Sequence, residues 1–528
     1  MKSIVSYHKI KSSVFDKKRN GRIFWMKKQQ KWLEKNRMLV LAVCCLAVLV
    51  IAGAVIGMSP FNPEESGYPL YFEGEETEFT AYHIHGNIYI PAEAAEAYGN
   101  TAGMTIDRTA EEIRMDLSTK NIDMADRATT NLVKTYAGTV SIPARTIHGE
   151  CCVPVNTLGS FFHLQAEVKG KKIKMNPFDA RNGDKNTVDY YAPAKEKYVQ
   201  GKEKISVVWQ YVKSLTEPAP EKKNDGIDVL CPTWFHLTVE GGGAVENHGD
   251  LGYTQTAHEN GYMVWATITN NMATKGSTNF TAKCFANTDL LYRSVAQYIF
   301  LATLYDVDGI NIDYEDVRDS DAKGLTAFTS LLRNYTERQG LNLSIDTLIP
   351  AEWTVEYDRA SLAEYVDYIA VMTYDEHYAG SKEAGSIASL PWVEEAVKAC
   401  LKDVPAEKLL LGVPLYTRQW VTDENGRVLK QTALTMNSAA DLVKKQNLTA
   451  EWKADVKQNY VSWKEDGNLN QIWLEDERSV ANRLRLVQKY DLAGSASWQR
   501  SLASEDIWKV YGHMLKDDGK VSDYEPEK

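Results

Sequence analysis

The sequence predicts an α/β fold whose main body is a (β/α)8 barrel, preceded by a transmembrane helix and a small, duplicated α+β stalk. Three observations carry this. From about residue 204 onward, short apolar runs alternate with helical patterns eight times. Residues 38–58 pass 21 positions without a charge. All 11 Trp beyond that run fall between Trp209 and Trp508, and 59–202 has none. Strands separated by amphipathic helices imply parallel βαβ units, and eight such units imply closure into a barrel. An open, doubly wound sheet is the alternative. It would place a Gly-rich phosphate loop after its first strand, whereas the chain continues "WQYVKSLTEP", and Gly241–Gly243 is not followed by a P-loop lysine.

In chain order, residues 1–37 form a basic tail with 12 Lys and Arg against Asp16 and Glu34. The run "MLVLAVCCLAVLVIAGAVIGM" at 38–58 follows. At 1.5 Å per residue such a helix spans roughly 30 Å, a bilayer core. The basic flank puts the N-terminus in the cytoplasm and the remainder outside the cell membrane. A cleaved signal peptide is the alternative, but 37 residues is a long leader and no small-x-small cleavage site follows. Cys44 and Cys45 read as apolar membrane residues, because Val43 stands where a lipobox needs a small side chain. Residues 59–528 hold 48 basic against 69 acidic residues, a net of −21, which excludes nucleic acid as a partner. Cys151/Cys152, Cys231, Cys284 and Cys400 form no CxxC or regular framework, so disulfides do not organise the exported part.

Within the Trp-free stretch, "HGNIYIP" (85–91) recurs as "HGECCVP" (148–154), 63 residues on, each followed by a small helical stretch. Residues 70–178 therefore read as a duplicated strand-helix unit. Its pattern is similar to stalk domains related to the N-terminal domain of copper amine oxidases. His85 and His148 precede Gly in turn positions, so they read as turn residues, and no metal or other cofactor is expected. The polar, aperiodic run at 179–203 reads as a linker. The barrel spans 204–515 and carries an insertion at about 417–490, with a hairpin at Asp466-Gly467; 516–528 is a polar tail.

The fourth strand, "DGINIDYE" (308–315), carries unusual chemistry. Residues two apart share a face, so Asn311, Asp313 and Glu315 line one side and Ile310, Ile312 and Tyr314 the other. An unpaired buried carboxylate costs several kcal/mol, so the polar row must be mutually hydrogen-bonded. It must also climb toward the C-terminal mouth, where barrel enzymes keep their chemistry. By parity Asp308 faces away from this row and reads as structural.

This octapeptide resembles the DGxDxDxE signature of family 18 glycoside hydrolases, the chitinase-like enzymes. Asn311 stands where chitinases have Asp, a variant similar to the branch holding bacterial spore-cortex N-acetylglucosaminidases. The resemblance covers the whole barrel: "VMTYDEH", "ASLPWVEEAV", "LGVPLYTRQW" and "SASW" follow in family order. It implies a retaining mechanism in which Glu315 protonates the glycosidic oxygen and the substrate's own 2-acetamido oxygen attacks C1. Asp313 orients that amide, and Asn311 donates to Asp313. Tyr374 bonds the acetamido carbonyl, Asp375 binds sugar hydroxyls, and Trp498 floors the cleft. Arg418 and Trp234 are further sugar-contact candidates, with core or surface roles as their alternatives. Mutual repulsion of the two carboxyls is expected to keep Glu315 protonated near neutral pH.

The implied partner is an N-acetylglucosamine-containing glycan: β-1,4-linked peptidoglycan, with chitin or chitooligosaccharide as the alternative. A short insertion would leave the groove shallow, which suits a branched, peptide-bearing glycan. Two other classes stand beside the enzyme. One is a lectin-like wall protein, disfavoured because the acid is present. The other is a wall tether in which the stalk binds and the barrel is vestigial.

Overall fold

The computed structural model describes residues 67–525 except 85–86, 100, 102–103, 108–111, 117–138, 144, 156–161, 163, 178–194, 200, 202, 214–215, 239–244, 271–279 and 518. The expected membrane span at 38–58 lies outside the described residues, and among those described no helix is long and apolar enough to cross a membrane.

All eight expected barrel strands are present: β1 (Ile205–Gln210), β2 (Val229–Leu237), β3 (Met263–Thr269), β4 (Gly309–Asp313), β5 (Asn342–Thr347), β6 (Tyr368–Val371), β7 (Leu409–Pro414) and β8 (Gly494–Trp498). Each pairs in parallel with the next, from β1 through to β8, and β1 pairs with β8 to close the ring. β1, β4, β5, β6 and β7 are buried along their whole length, as strands covered on both faces must be.

Alternation divides the core into two layers. Ile205, Val207 and Trp209 of β1, Val229 and Cys231 of β2, Trp265 of β3 and Tyr368 of β6 fill the barrel interior. Ile310 and Ile312 of β4 join the larger core beneath the helices. Those helices are set by local signals. Asn287 caps Thr288–Leu304 by accepting from Leu290 N. Gly340, at φ +69°, ends Ala322–Gln339 in the left-handed cap that glycine adopts without strain.

The bottom of the barrel is tied by Asp308. Its carboxylate accepts from Lys195 Nζ at 3.0 Å, His258 Nε2 at 2.8 Å and Val264 N at 2.8 Å. Residues 195–199, within the expected linker, thus lie against the barrel floor, where Asn342 Nδ2 also donates to the Tyr198 carbonyl.

Ahead of the barrel, a seven-stranded sheet is built from described residues of 67–177, and in it the strands that follow the two His-Gly pairs in sequence lie side by side. Strand Asn87–Pro91 pairs antiparallel with Glu150–Pro154, with Ile90 opposite Val153. Strands Met104–Asp107, Glu112–Asp116 and Thr139–Pro143 pair antiparallel in order, and the last meets the barrel sheet where Val140 pairs with Val245.

The insertion is larger than a hairpin: five antiparallel strands between Tyr416 and Leu474, with helix Met436–Lys445 among them. Asp466 and Gly467, at φ +52° and +80°, make the expected two-residue turn.

Candidate active site

A cavity of about 240 Å³ opens at the C-terminal mouth, lined by Trp209, Asp313, Glu315, Asp346, Met372, Tyr374, Asp375, Tyr416 and Trp498 among others. Five of the eight residues expected at the site therefore meet here: Asp313, Glu315, Tyr374, Asp375 and Trp498. The enclosed volume sits below the usual range for small-molecule pockets. It suits one ring held inside while the rest of a polymer lies on the open rim. Exposed aromatics lie in the segments that follow β1, β5 and β6, namely Tyr211, Trp353 and Tyr378.

The polar row of β4 points inward and is bound to its neighbours on both sides. Asn311 Nδ2 donates to Asp346 Oδ2 of β5 at 2.7 Å and to Thr267 Oγ1 of β3 at 3.4 Å, while Ser344 Oγ donates to Asn311 Oδ1 at 2.7 Å. The expected bond from Asn311 to Asp313 is corrected: the amide is turned sideways along the sheet to Asp346, a carboxyl that inspection of β4 alone could not supply. Asp313 Oδ1 is left buried with no partner.

Glu315 sits just past the end of β4, held by its backbone. Asn270, the residue after β3, accepts from Glu315 N at 3.0 Å and donates to Glu315 O at 2.7 Å. This two-point clamp fixes the place from which the carboxyl faces the cavity. Burial and the nearby charges of Asp316 and Asp375 raise the Glu315 carboxyl above its ordinary value. Burial and the charge of Glu315 push Asp313 up to about 8. A carboxyl of raised pKa facing a cavity is what a general acid at neutral pH requires.

Tyr374 lies three residues beyond the end of β6, on the loop rather than the strand. Its phenol is raised well above its ordinary value by burial and by Asp346 and Asp313, so it stays protonated beside the acids and can donate. Asp375 has φ +61°, a left-handed conformation that Asp tolerates better than most residues. It accepts from Tyr416 Oη at 2.6 Å. Arg418 stands behind it, at 3.5 Å from Asp375 Oδ1 and donating to Gln431 at 2.6 Å, and does not line the cavity. Trp498 closes the floor with Trp209, ring centres 6.1 Å apart.

Trp234 is a correction. It is fully buried, donates Nε1 to Thr216 Oγ1 at 2.9 Å, and packs against Tyr253 and Tyr305 outside the barrel interior. Its parity is opposite to that of Val229 and Cys231, which face the interior. That parity is the signal that would have excluded it.

Sequence reasoning missed four cavity or support residues. Trp209 and Tyr416 stand within "WQYVKSLTEP" and "LGVPLYTRQW", where nothing in the sequence singles them out. Asp346 and Asn270 reach the site through strand register, which no local motif reveals.

Residues 282–503 match the family described as Glycosyl hydrolases family 18. The barrel is a family 18 glycosidase domain. The uncharacterized glycosylase YvbX of Bacillus subtilis is 27% identical over 268 residues, 47% of this chain and 73% of the relative. The cortical fragment-lytic enzyme of the same organism is 23% identical over 215 residues, 39% of this chain and about half, 49%, of the relative. The C-terminal domain of a putative chitinase from Desulfitobacterium hafniense shares the fold, with a TM-score of 0.52 at 23% identity, over 60% of this chain and all of that domain. The matched range of the family 18 domain contains Asp313, Glu315, Asp346, Tyr374, Asp375, Tyr416 and Trp498, while Trp209 lies before it.

Proposed function

We propose that the family 18 domain hydrolyses β-1,4-linked N-acetylglucosamine bonds in cell-wall peptidoglycan by a retaining, substrate-assisted route. One observation carries the mechanism: the carboxyls of Asp313 and Glu315, two residues apart at the end of β4, line a single cavity at the barrel mouth. Glu315 gives its proton to the glycosidic oxygen as the leaving group departs. Asp313 accepts from the N–H of the 2-acetamido group, turning the carbonyl oxygen onto C1, and its charge stabilises the oxazolinium cation that forms. Tyr374 donates to the same amide from the opposite side. Water then opens the ring with Glu315 as base, and configuration at C1 is retained. Trp498 and Trp209 offer apolar faces to the sugar ring. Asp375, held by Tyr416, faces the ring hydroxyls.

Peptidoglycan is favoured by the cortical fragment-lytic relative and by the apolar run at 38–58, which on this reading anchors the barrel at the outer face of the membrane. The test is incubation of the full-length protein with purified peptidoglycan and with chitooligosaccharides, reading released fragments by mass spectrometry and the first-formed anomer by NMR. Muropeptides ending in reducing N-acetylglucosamine, with the β anomer first, support the reading. Chitooligosaccharide cleavage alone would support the chitinase alternative, and an α anomer would overturn the mechanism. Glu315→Gln should lower turnover by about 10²- to 10⁴-fold, the usual share of a general acid. Binding of wall by both forms with no turnover by either would favour the tether. For location, protease added to intact cells should remove the barrel and spare the N-terminal tail.

A further inference from the structure

The buried carboxyl of Asp346 has no place in the reaction as written above. It sits near the end of β5, 2% exposed, in the floor of the same cavity. The β4–β5 register pairs Asn311 with Ser344 and Ile312 with Ile345. Continued by one residue, it sets Asp313 level with Asp346 on the inward face. Adjacent strands lie about 4.8 Å apart, so the two carboxyls are neighbours.

Their hydrogen bonds are unequal. Asp346 Oδ2 is taken by the Asn311 amide at 2.7 Å. Asp346 Oδ1 and Asp313 Oδ1 are both buried without a donor. The Trp209 indole N–H leans toward Asp346 and lowers its carboxyl slightly, yet forms no closed hydrogen bond. Two ionised carboxylates at this separation would repel, with two oxygens unpaired in an apolar barrel. One proton between them removes both costs.

We infer that Asp346 is a positioning residue that shares a single proton with Asp313. When the substrate amide donates to Asp313, the proton rests on Asp346, whose O–H donates to Asp313 Oδ1. The proton stays within the pair throughout, so the pair presents one negative charge, on the side that faces the forming cation. Asn311 cannot hold that proton. Its amide holds Asp346 Oδ2 and so leaves Oδ1 for Asp313.

The inference rests on the hydrolase reading for its consequence but not for its geometry. The groups facing Asp346 are few. Asp313 and Glu315 carry the charges, and burial with those charges raises Asp346 well above the ordinary carboxylate value. Cys231, Tyr357 and Tyr374 are held protonated by burial and remain neutral.

The experiment compares the full-length wild type, Asp346→Asn, and the exchange Asn311→Asp/Asp346→Asn, which returns a carboxyl to the other end of the same hydrogen bond. Two readouts are taken. The infrared absorption of protonated carboxyl groups at pH 7 should fall by one group in Asp346→Asn and recover in the exchange. The kcat for an acetamido sugar should fall at least tenfold in Asp346→Asn with KM changed less than threefold. Its pH profile should shift as well, and the exchange should recover most of the loss. If Asp346→Asn leaves the infrared signal, kcat and pH profile as in wild type, or if the exchange rescues neither readout, the shared proton is overturned. A wild type that turns over no acetamido sugar but shows the infrared pattern refutes the hydrolase reading and leaves the shared proton standing.

Discussion

Asp313→Asn is expected to remove activity and stabilise the protein. The Asp313 carboxyl is 8% exposed and raised from 3.8 to about 8 by burial and by Glu315. Between those values the folded chain keeps a proton that the unfolded chain has released. The native state binds more protons there, so stability falls as pH rises from about 4 to about 8. At pH 7 about three units of that window have been crossed, and at about 1.4 kcal/mol per unit the cost is roughly 4 kcal/mol. Glu315 and Asp346 draw on the same protons, so one substitution recovers part of it, about 2–3 kcal/mol. An amide at this position also gives the unpartnered Asp346 Oδ1 a donor. For a barrel of this size that corresponds to a rise in Tm of about 3–5 °C at pH 7, shrinking toward zero near pH 4. Thermal melts of wild type and variant from pH 4 to 8, beside a hydrolysis assay, read both effects. A lower Tm for the variant at pH 7, or a gain of equal size at pH 4 and pH 7, would refute the reasoning.

Arg483→Met should destabilise by about 3–5 kcal/mol, because Arg483 and Glu475 form a pair that is 1% and 0% exposed, and the glutamate loses its counter-charge. Thermal melts should show the loss growing as pH rises above about 7, since Glu475, raised to about 7 even beside Arg483, ionises there in the wild type but stays protonated once its counter-charge is gone; adding Glu475→Gln should restore much of the Tm. Tyr416→Phe removes the 2.6 Å bond to Asp375. The Asp375 side chain is 44% exposed and water replaces part of the bond, so kcat/KM should fall about tenfold, with Tm nearly unchanged; loss of less than a factor of two would assign Asp375 no part in substrate contact. Trp234→Phe should leave kcat and KM unchanged and lower stability by about 1–2 kcal/mol, the value of its bond to Thr216.

The barrel was legible because each strand is a short run of four to nine residues with its own boundaries, and burial on both faces leaves little ambiguity of type. The inward row Asn311, Asp313, Glu315 was legible for the same reason, since a period of two is a property of one strand. What it bonds to was not. Asn311 meets Asp346 across 35 residues of chain, and Asn270 meets Glu315 across 45. Such contacts depend on inter-strand register, which the order of motifs does not carry. Trp234 failed for a different reason: residue type suggested sugar stacking, but its parity on β2 is opposite to that of Val229 and Cys231, and the ring packs outward. The insertion was visible through its length and its Asp466-Gly467 turn, while its five-stranded sheet, whose first strand supplies Tyr416 to the cavity wall, was not.

That first strand explains why an insertion is worth carrying at this site. Asp375 holds a left-handed backbone conformation, which costs on the order of 1 kcal/mol unless neighbours enforce it. The loop that follows is fastened at several points. Glu376 N donates to Ile387 O, and the Glu376 carboxylate accepts from Ser389 N at 2.7 Å. Trp420 of the insertion donates Nε1 to Gly385 O at 2.9 Å. Arg483 bonds the Ala388 carbonyl and Glu475 together, while Gln458 of the insertion reaches Glu475 at 2.7 Å. The five-stranded sheet, the loop 375–389 and the helix Glu477–Lys489 are thereby one hydrogen-bonded body around a buried ion pair. Loosening that pair should be felt at Asp375, which lies outside it in sequence and holds its conformation through it. Arg483→Met, beyond its effect on Tm, is therefore expected to lower kcat/KM at temperatures well below the melt. Full activity in a folded Arg483→Met protein would show that the insertion walls the cavity without setting its geometry.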